Sequence, residues 1–178
     1  MNGKFKNIIV VIIVLVFSAC AQIVPTEYLI TKDQLTNSMQ KQFPLHRESG
    51  LFSITVDSPQ LNLNPGQNRF GMTGHFSAHA AIFEIEGDFA FSSQLKYDST
   101  QRAVYLDRVS LDSLHLEHSN SAPEIVRAEV NRMLNEFAAN TPLFQLKPDE
   151  MVVLGVKVDV DKISVVPEGI LLKLHIMH

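Results

Sequence analysis

Cysteine is almost absent, with Cys20 standing alone in 178 residues. A lone thiol makes no intrachain disulfide, so the fold must rest on its core without covalent staples. Positive charge is scarce as well. There are 15 Lys and Arg against 19 Asp and Glu, for a formal net charge of −4. Residues 1–19 hold Lys4, Lys6 and no acid, so a chain lacking them has 13 basic and 19 acidic side chains. Such a surface does not attract phosphate backbones, which argues against nucleic-acid binding, and it offers no polybasic patch to a membrane. Catalytic signatures are missing too: no G-x-S-x-G, no H-E-x-x-H, no P-loop and no G-x-G-x-x-G. No catalytic residue, cofactor or metal is expected, and the protein is not expected to be an enzyme. No repeat or low-complexity linker divides the chain.

Hydrophobic residues, by contrast, make up 46% of the sequence, enough for one globular domain with a true core. The first of them form an unbroken run from Ile8 to Phe17, preceded by Lys4 and Lys6 and followed by Ser18-Ala19-Cys20. The run has the length of a signal-peptide apolar region and is short for a membrane span. The pattern resembles a bacterial lipobox, with Phe17 where leucine is usual. It implies a signal peptide over 1–19, acylation of the Cys20 thiol and a lipidated tether over 20–27. A competing reading takes Ala19-Cys20-Ala21 as an ordinary A-x-A cleavage site, which would release a soluble periplasmic protein. On the lipoprotein reading the protein sits in the cell envelope on palmitate-like acyl chains. Ala21, lacking the charge of aspartate, favours the outer membrane facing the periplasm. More than one acyl chain makes such anchoring stable.

Residues 28–178 read as a single α+β domain. Thr31 and Gln34 have capping-box spacing, Ile30 and Leu35 can staple the same turn, and Leu35, Met39 and Phe43 share a helical face ended by Pro44. From Leu51 the period becomes two. Phe70, Met72, Gly74, Phe76, Ala78 and Ala80 fall on one side, with Thr73, His75, Ser77 and His79 on the other. Near Phe83 the apolar parity flips, and Ile85, Gly87, Phe89 and Phe91 share a face opposite Glu84, Glu86 and Asp88. This predicts a hairpin of long strands. Two more parity shifts between Val104 and Leu116 predict a bent, twisted strand. Ser121 and Glu124 then suggest a cap for a second helix, striped by Val126, Val130, Met133, Leu134 and Phe137. Val156, Val158 and Val160, then Leu172, Leu174 and Ile176, alternate with polar residues as closing strands.

Cys20, Tyr28-Leu29-Ile30-Thr31, the hairpin ending at Lys96-Tyr97-Asp98, Ala103-Val104-Tyr105-Leu106 and the helix from Pro123 to Ala139 together resemble the YceB-like family of small bacterial lipoproteins of unknown function. That family's fold resembles the tubular lipid-binding superfamily. The resemblance implies a strongly curved, mostly antiparallel sheet wrapped around one long helix, with a second short N-terminal helix. It also implies a lipid or other apolar ligand, by analogy of fold. The hypothetical apolar lining is Phe70, Met72, Phe76, Ala78, Phe89, Phe91, Met133 and Phe137. Small residues among large ones leave either a slot for an acyl chain or room for close packing. The alternative function is an envelope structural protein with a filled core that docks a protein partner.

The polar residues read as solvated faces. His75 and His79 stand about 13 Å apart along a strand, too far to share an ion. His115 and His118, His175 and His178, the Asp159–Asp161 pair beside Lys157 and Lys162, and the row Glu84, Glu86, Asp88 lack completing partners in sequence.

Overall fold

A computed structural model of the chain describes residues 26–49, 52–80, 83–117, 124–153 and 155–177. Cys20 with its signal segment, the Ser121 cap, His118 and His178 lie outside the described residues. The strands are β1 (Glu27–Thr31), β2 (Leu45–Ser49), β3 (Phe52–Asn64), β4 (Arg69–Ala80), β5 (Phe83–Asp98), β6 (Ala103–Leu116), β7 (Phe144–Gln145), β8 (Val152–Val153), β9 (Val156–Val166) and β10 (Gly169–Ile176). The helices are α1 (Lys32–Gln40) and α2 (Glu124–Asn140), with short 3-10 turns at Pro65–Gln67 and Pro148–Met151. None of the described helices is long and apolar enough to cross a membrane.

The strands form two antiparallel sheets, one in the order β1-β10-β9-β8 and one in the order β2-β3-β4-β5-β6-β7. This corrects the expectation of one strongly curved sheet wrapped around a long helix. The sheets are not strongly curled, and α2, 17 residues long, packs against β6. The physical reason is the partition of the strands. β10 pairs with the N-terminal β1, and β9 with β10, rather than extending the large sheet. β9 then packs against β3 and β5. Asn68, in a left-handed conformation at φ 51°, fixes this packing, its Oδ1 accepting from the Val165 N–H at 2.7 Å.

Local signals explain most elements. Thr31 caps α1 reciprocally with Gln34, and Ile30 and Leu35 are fully buried beside it. The flip near Phe83 is the β4–β5 hairpin, in which Phe70 faces Ser93 and Ala80 faces Phe83. The parity shifts after Val104 are register shifts against β5, with Arg108 at φ 49° within the first of them. β3 carries a bulge of its own between Asp57 and Gln60, where Ser58 has φ 51°. Pro59 sits at this bulge, a position where its missing N–H breaks no ladder bond.

The inner face of the large sheet is packed with aromatic rings set over glycines. Gly74 faces Phe89 across the strands, and Gly87 faces Phe76. A Cβ on Gly74 would stand 2.9 Å from the Phe89 ring; one on Gly87 would stand 3.0 Å from the Phe76 ring and 2.0 Å from the His115 carbonyl oxygen. The small residues are therefore matched one to one by large ones across the hairpin. This is close packing in the sense that interiors require.

Candidate functional site

The residues expected to line an apolar pocket lie in or against one core cluster. Phe70, Met72, Phe76, Ala78, Phe89 and Phe91 lie together on the inner face of β4 and β5, each no more than 3% exposed and all in one core cluster. The Phe89 and Phe91 rings are near parallel, with centroids 6.3 Å apart. Met133, of the same cluster, and Phe137, packed against it, also border a hollow of ≈ 190 Å³ between α2 and β2, with Leu45 and Arg47 on its other wall. Arg47 bridges to Glu136 across it, and Glu136 shares Arg132 with Glu129. The Arg132 guanidinium, bonded to Glu129, holds that carboxyl below its usual range. Met72 and Phe91 also adjoin a polar hollow of ≈ 240 Å³ bounded by Asn62, Arg69 and Asp112.

The larger described cavity, ≈ 500 Å³, opens where the β5–β6 turn meets β8, β9 and the C-terminal Met177. Its apolar wall is Tyr97, Met151, Val152, Val158 and Met177. Val158 and Met151 are buried, whereas Val152 and Met177 are 44% and 54% exposed. The polar rim is Ser99, Thr100, Arg102, Lys157 and Asp159.

Each rim group is set by a local feature. Asp98 Oδ1 accepts from the Gln101 N–H at 3.0 Å, which shapes the turn. Arg102 closes that turn at φ 51°, and its carbonyl accepts from the Leu146 N–H. Arg102 Nε is buried with no hydrogen-bond partner among the described residues, so a donor of a charged group is left without an acceptor, a costly arrangement. Asp159 Oδ1 accepts from the Val160 N–H at 2.8 Å. Burial, and then the nearby Asp159 charge, push the Tyr97 phenol above its ordinary range. Its hydroxyl contacts the Met151 sulfur at 3.9 Å. The cleft therefore joins an apolar wall to two cations, Arg102 and Lys157, one carboxylate, Asp159, and a neutral phenol. That combination suits an amphiphile with an acidic head, and it supplies no nucleophile paired with a base.

The periodicity of the sequence did not single out these residues. They come from four distant stretches, 97–102, 148–152, 157–159 and 177. Lys157 and Asp159 had read only as the wet side of a strand. The turn-forming run Asp98-Ser99-Thr100-Gln101 is the one local signal in the sequence.

No curated protein sequence matches the chain. Among solved structures, one described as the crystal structure of lipopolysaccharide binding protein aligns with a TM-score of 0.36 and 14% identity. The alignment covers 85% of this chain and 40% of that one, so the chain spans well under half the length of its structural neighbour. A likeness of that degree carries no ligand across. The family comparison is broader: a model described as Protein of unknown function (DUF1439) matches residues 30–168, from the end of β1 to the β9–β10 turn. The chain belongs to this DUF1439 family.

Proposed function

We propose that the protein is a lipid-anchored envelope protein of the YceB-like kind that binds an amphiphilic lipid in the cleft between the β5–β6 turn and β9. The supporting observation is the ≈ 500 Å³ cleft, whose apolar wall meets Arg102 and Lys157 at its rim. Its volume lies in the range of small-molecule sites. An acyl segment against Tyr97, Met151 and Val158 gains about 0.8 kcal/mol per CH₂ removed from water. A carboxylate or phosphate head is drawn by the Arg102 and Lys157 charges at the rim. The protein performs no catalysis on this reading. Cys20 carries the anchor, in the outer membrane facing the periplasm. With β1 starting at Glu27, the domain stands within about 25 Å of the lipidated residue.

Solvent extraction of the purified full chain separates bound lipid from covalently held acyl groups. Extractable lipid is expected, together with a higher melting temperature when palmitate is added to delipidated protein. The Arg102→Ala/Lys157→Ala double variant should need about tenfold more palmitate for the same gain. Absence of both extractable lipid and any melting shift defeats the proposal.

The filled inner face, with Phe89 over Gly74 and Phe76 over Gly87, favours a second reading, an envelope protein that docks a protein partner. Crosslinking in intact cells separates the two. Partner capture unchanged by the cleft double variant supports docking.

A further inference from the structure

The outer face of the large sheet carries chemistry that the cleft does not use. The hairpin register sets His75 opposite Asp88 and Ser77 opposite Glu86. Beyond β5, Gly87 pairs with Leu116, and the Glu117 N–H donates to the Glu86 carbonyl at 2.8 Å. Side chains alternate along strands, so His75, Glu86 and Glu117 emerge on the same side from three adjacent segments of chain. One ligand atom from each, an imidazole nitrogen and two carboxylate oxygens, lies within 4.8 Å of the other two.

We propose that His75, Glu86 and Glu117 form a binding site for a divalent transition-metal ion of zinc's class. The donor set decides the class, because one imidazole with two carboxylates suits zinc, whereas calcium and magnesium take oxygen alone. Around zinc at about 2.0 Å, tetrahedral ligand atoms stand about 3.3 Å apart. Closing from a spacing of at most 4.8 Å therefore takes a shift of no more than about 1.5 Å. Glu86 and Glu117 are exposed and can supply it by changing rotamer. His75 is the fixed member, its side chain only 30% exposed.

Asp88 is the second support. Its Oδ1 lies 3.2 Å from His75 Nδ1. A proton on Nδ1, donated to Asp88, leaves the Nε2 lone pair as the metal ligand. This is the carboxylate–histidine–metal relay by which proteins orient such ligands. The surrounding charge is the third. Asp57 faces His75 from β3, His115 faces Asp88 from β6, and Glu84 pairs with His79 one step along the hairpin. Arg69, the basic residue of β4 on that side, stands six positions from His75 and is bonded to Ser92. The field there favours a dication, and two coordinating carboxylates balance its charge. The inference is independent of the lipid reading.

Titration of the purified full chain with zinc chloride in a calorimeter tests the site. One equivalent is expected to bind saturably. His75→Gln and Glu86→Gln should each weaken binding at least tenfold, and Asp88→Asn about tenfold through loss of the relay. His175→Gln, on β10, should leave it unchanged. Glu117→Gln, outside the strand ladder, gives a variant whose folding is the least exposed to doubt. Absence of saturable zinc binding overturns the proposal. So does unchanged affinity in His75→Gln, Glu86→Gln or Glu117→Gln with circular dichroism intact, or zinc located crystallographically on other histidines.

Discussion

The two sides of the β4–β5 hairpin are built from the same two strands and have opposite characters. The inner side holds Phe70, Met72, Phe76, Phe89 and Phe91, nearly without exposure, with each glycine under a ring. The outer side holds His79, Glu84, Glu86 and Asp88, with side chains largely in water, and the less exposed His75. On the inner side every position is determined by its neighbour across the strands, so substitutions there act through volume. On the outer side neighbours touch through charge alone, which solvent screens, and the side chains remain free to serve a ligand.

Stability measurements in urea sharpen this contrast. Phe89→Ala should cost the most, about 3–5 kcal/mol, because it empties the space over Gly74 and leaves a cavity. Gly87→Ala comes next, at about 1–3 kcal/mol, since its Cβ meets the His115 carbonyl and neither strand can yield without breaking register. His79→Ala should change stability by less than about 0.5 kcal/mol. Its 3.2 Å pair with Glu84 joins side chains that are 50% and 59% exposed. A loss at His79 equal to that at Gly87 would break the comparison, and so would a neutral Phe89→Ala.

Alternation made the sidedness of this hairpin legible before any coordinates. The parity flip near Phe83 located its turn, and the shifts after Val104 located the irregularities of β6. The Thr31–Gln34 cap and the stripe of α2 were equally readable, because each depends on residues within a few positions of one another. The division into two sheets was not readable. Alternation tells which way a side chain points and is silent about which strand lies alongside, so β9 and β10 looked like additions to the large sheet. The same limit hid both candidate sites. His75 was correctly set on the wet side, yet Glu86 and Glu117 join it only through cross-strand register. The cleft needs Tyr97, Arg102, Met151 and Lys157 to meet from separate turns.

The pairing of β1 with β10 has a consequence for how the molecule comes into being. Tyr28 lies against Leu172 and Ile30 against Ile170, so the first strand finds its neighbour in the last. A chain emerging N-terminus first, whether from a ribosome or through a translocation pore, must hold Tyr28–Ile30 unpaired until residues 169–173 arrive. The large sheet uses only residues 45–145 and can assemble earlier. Joining the ends is then the closing event of folding, slowed by the length of chain it spans.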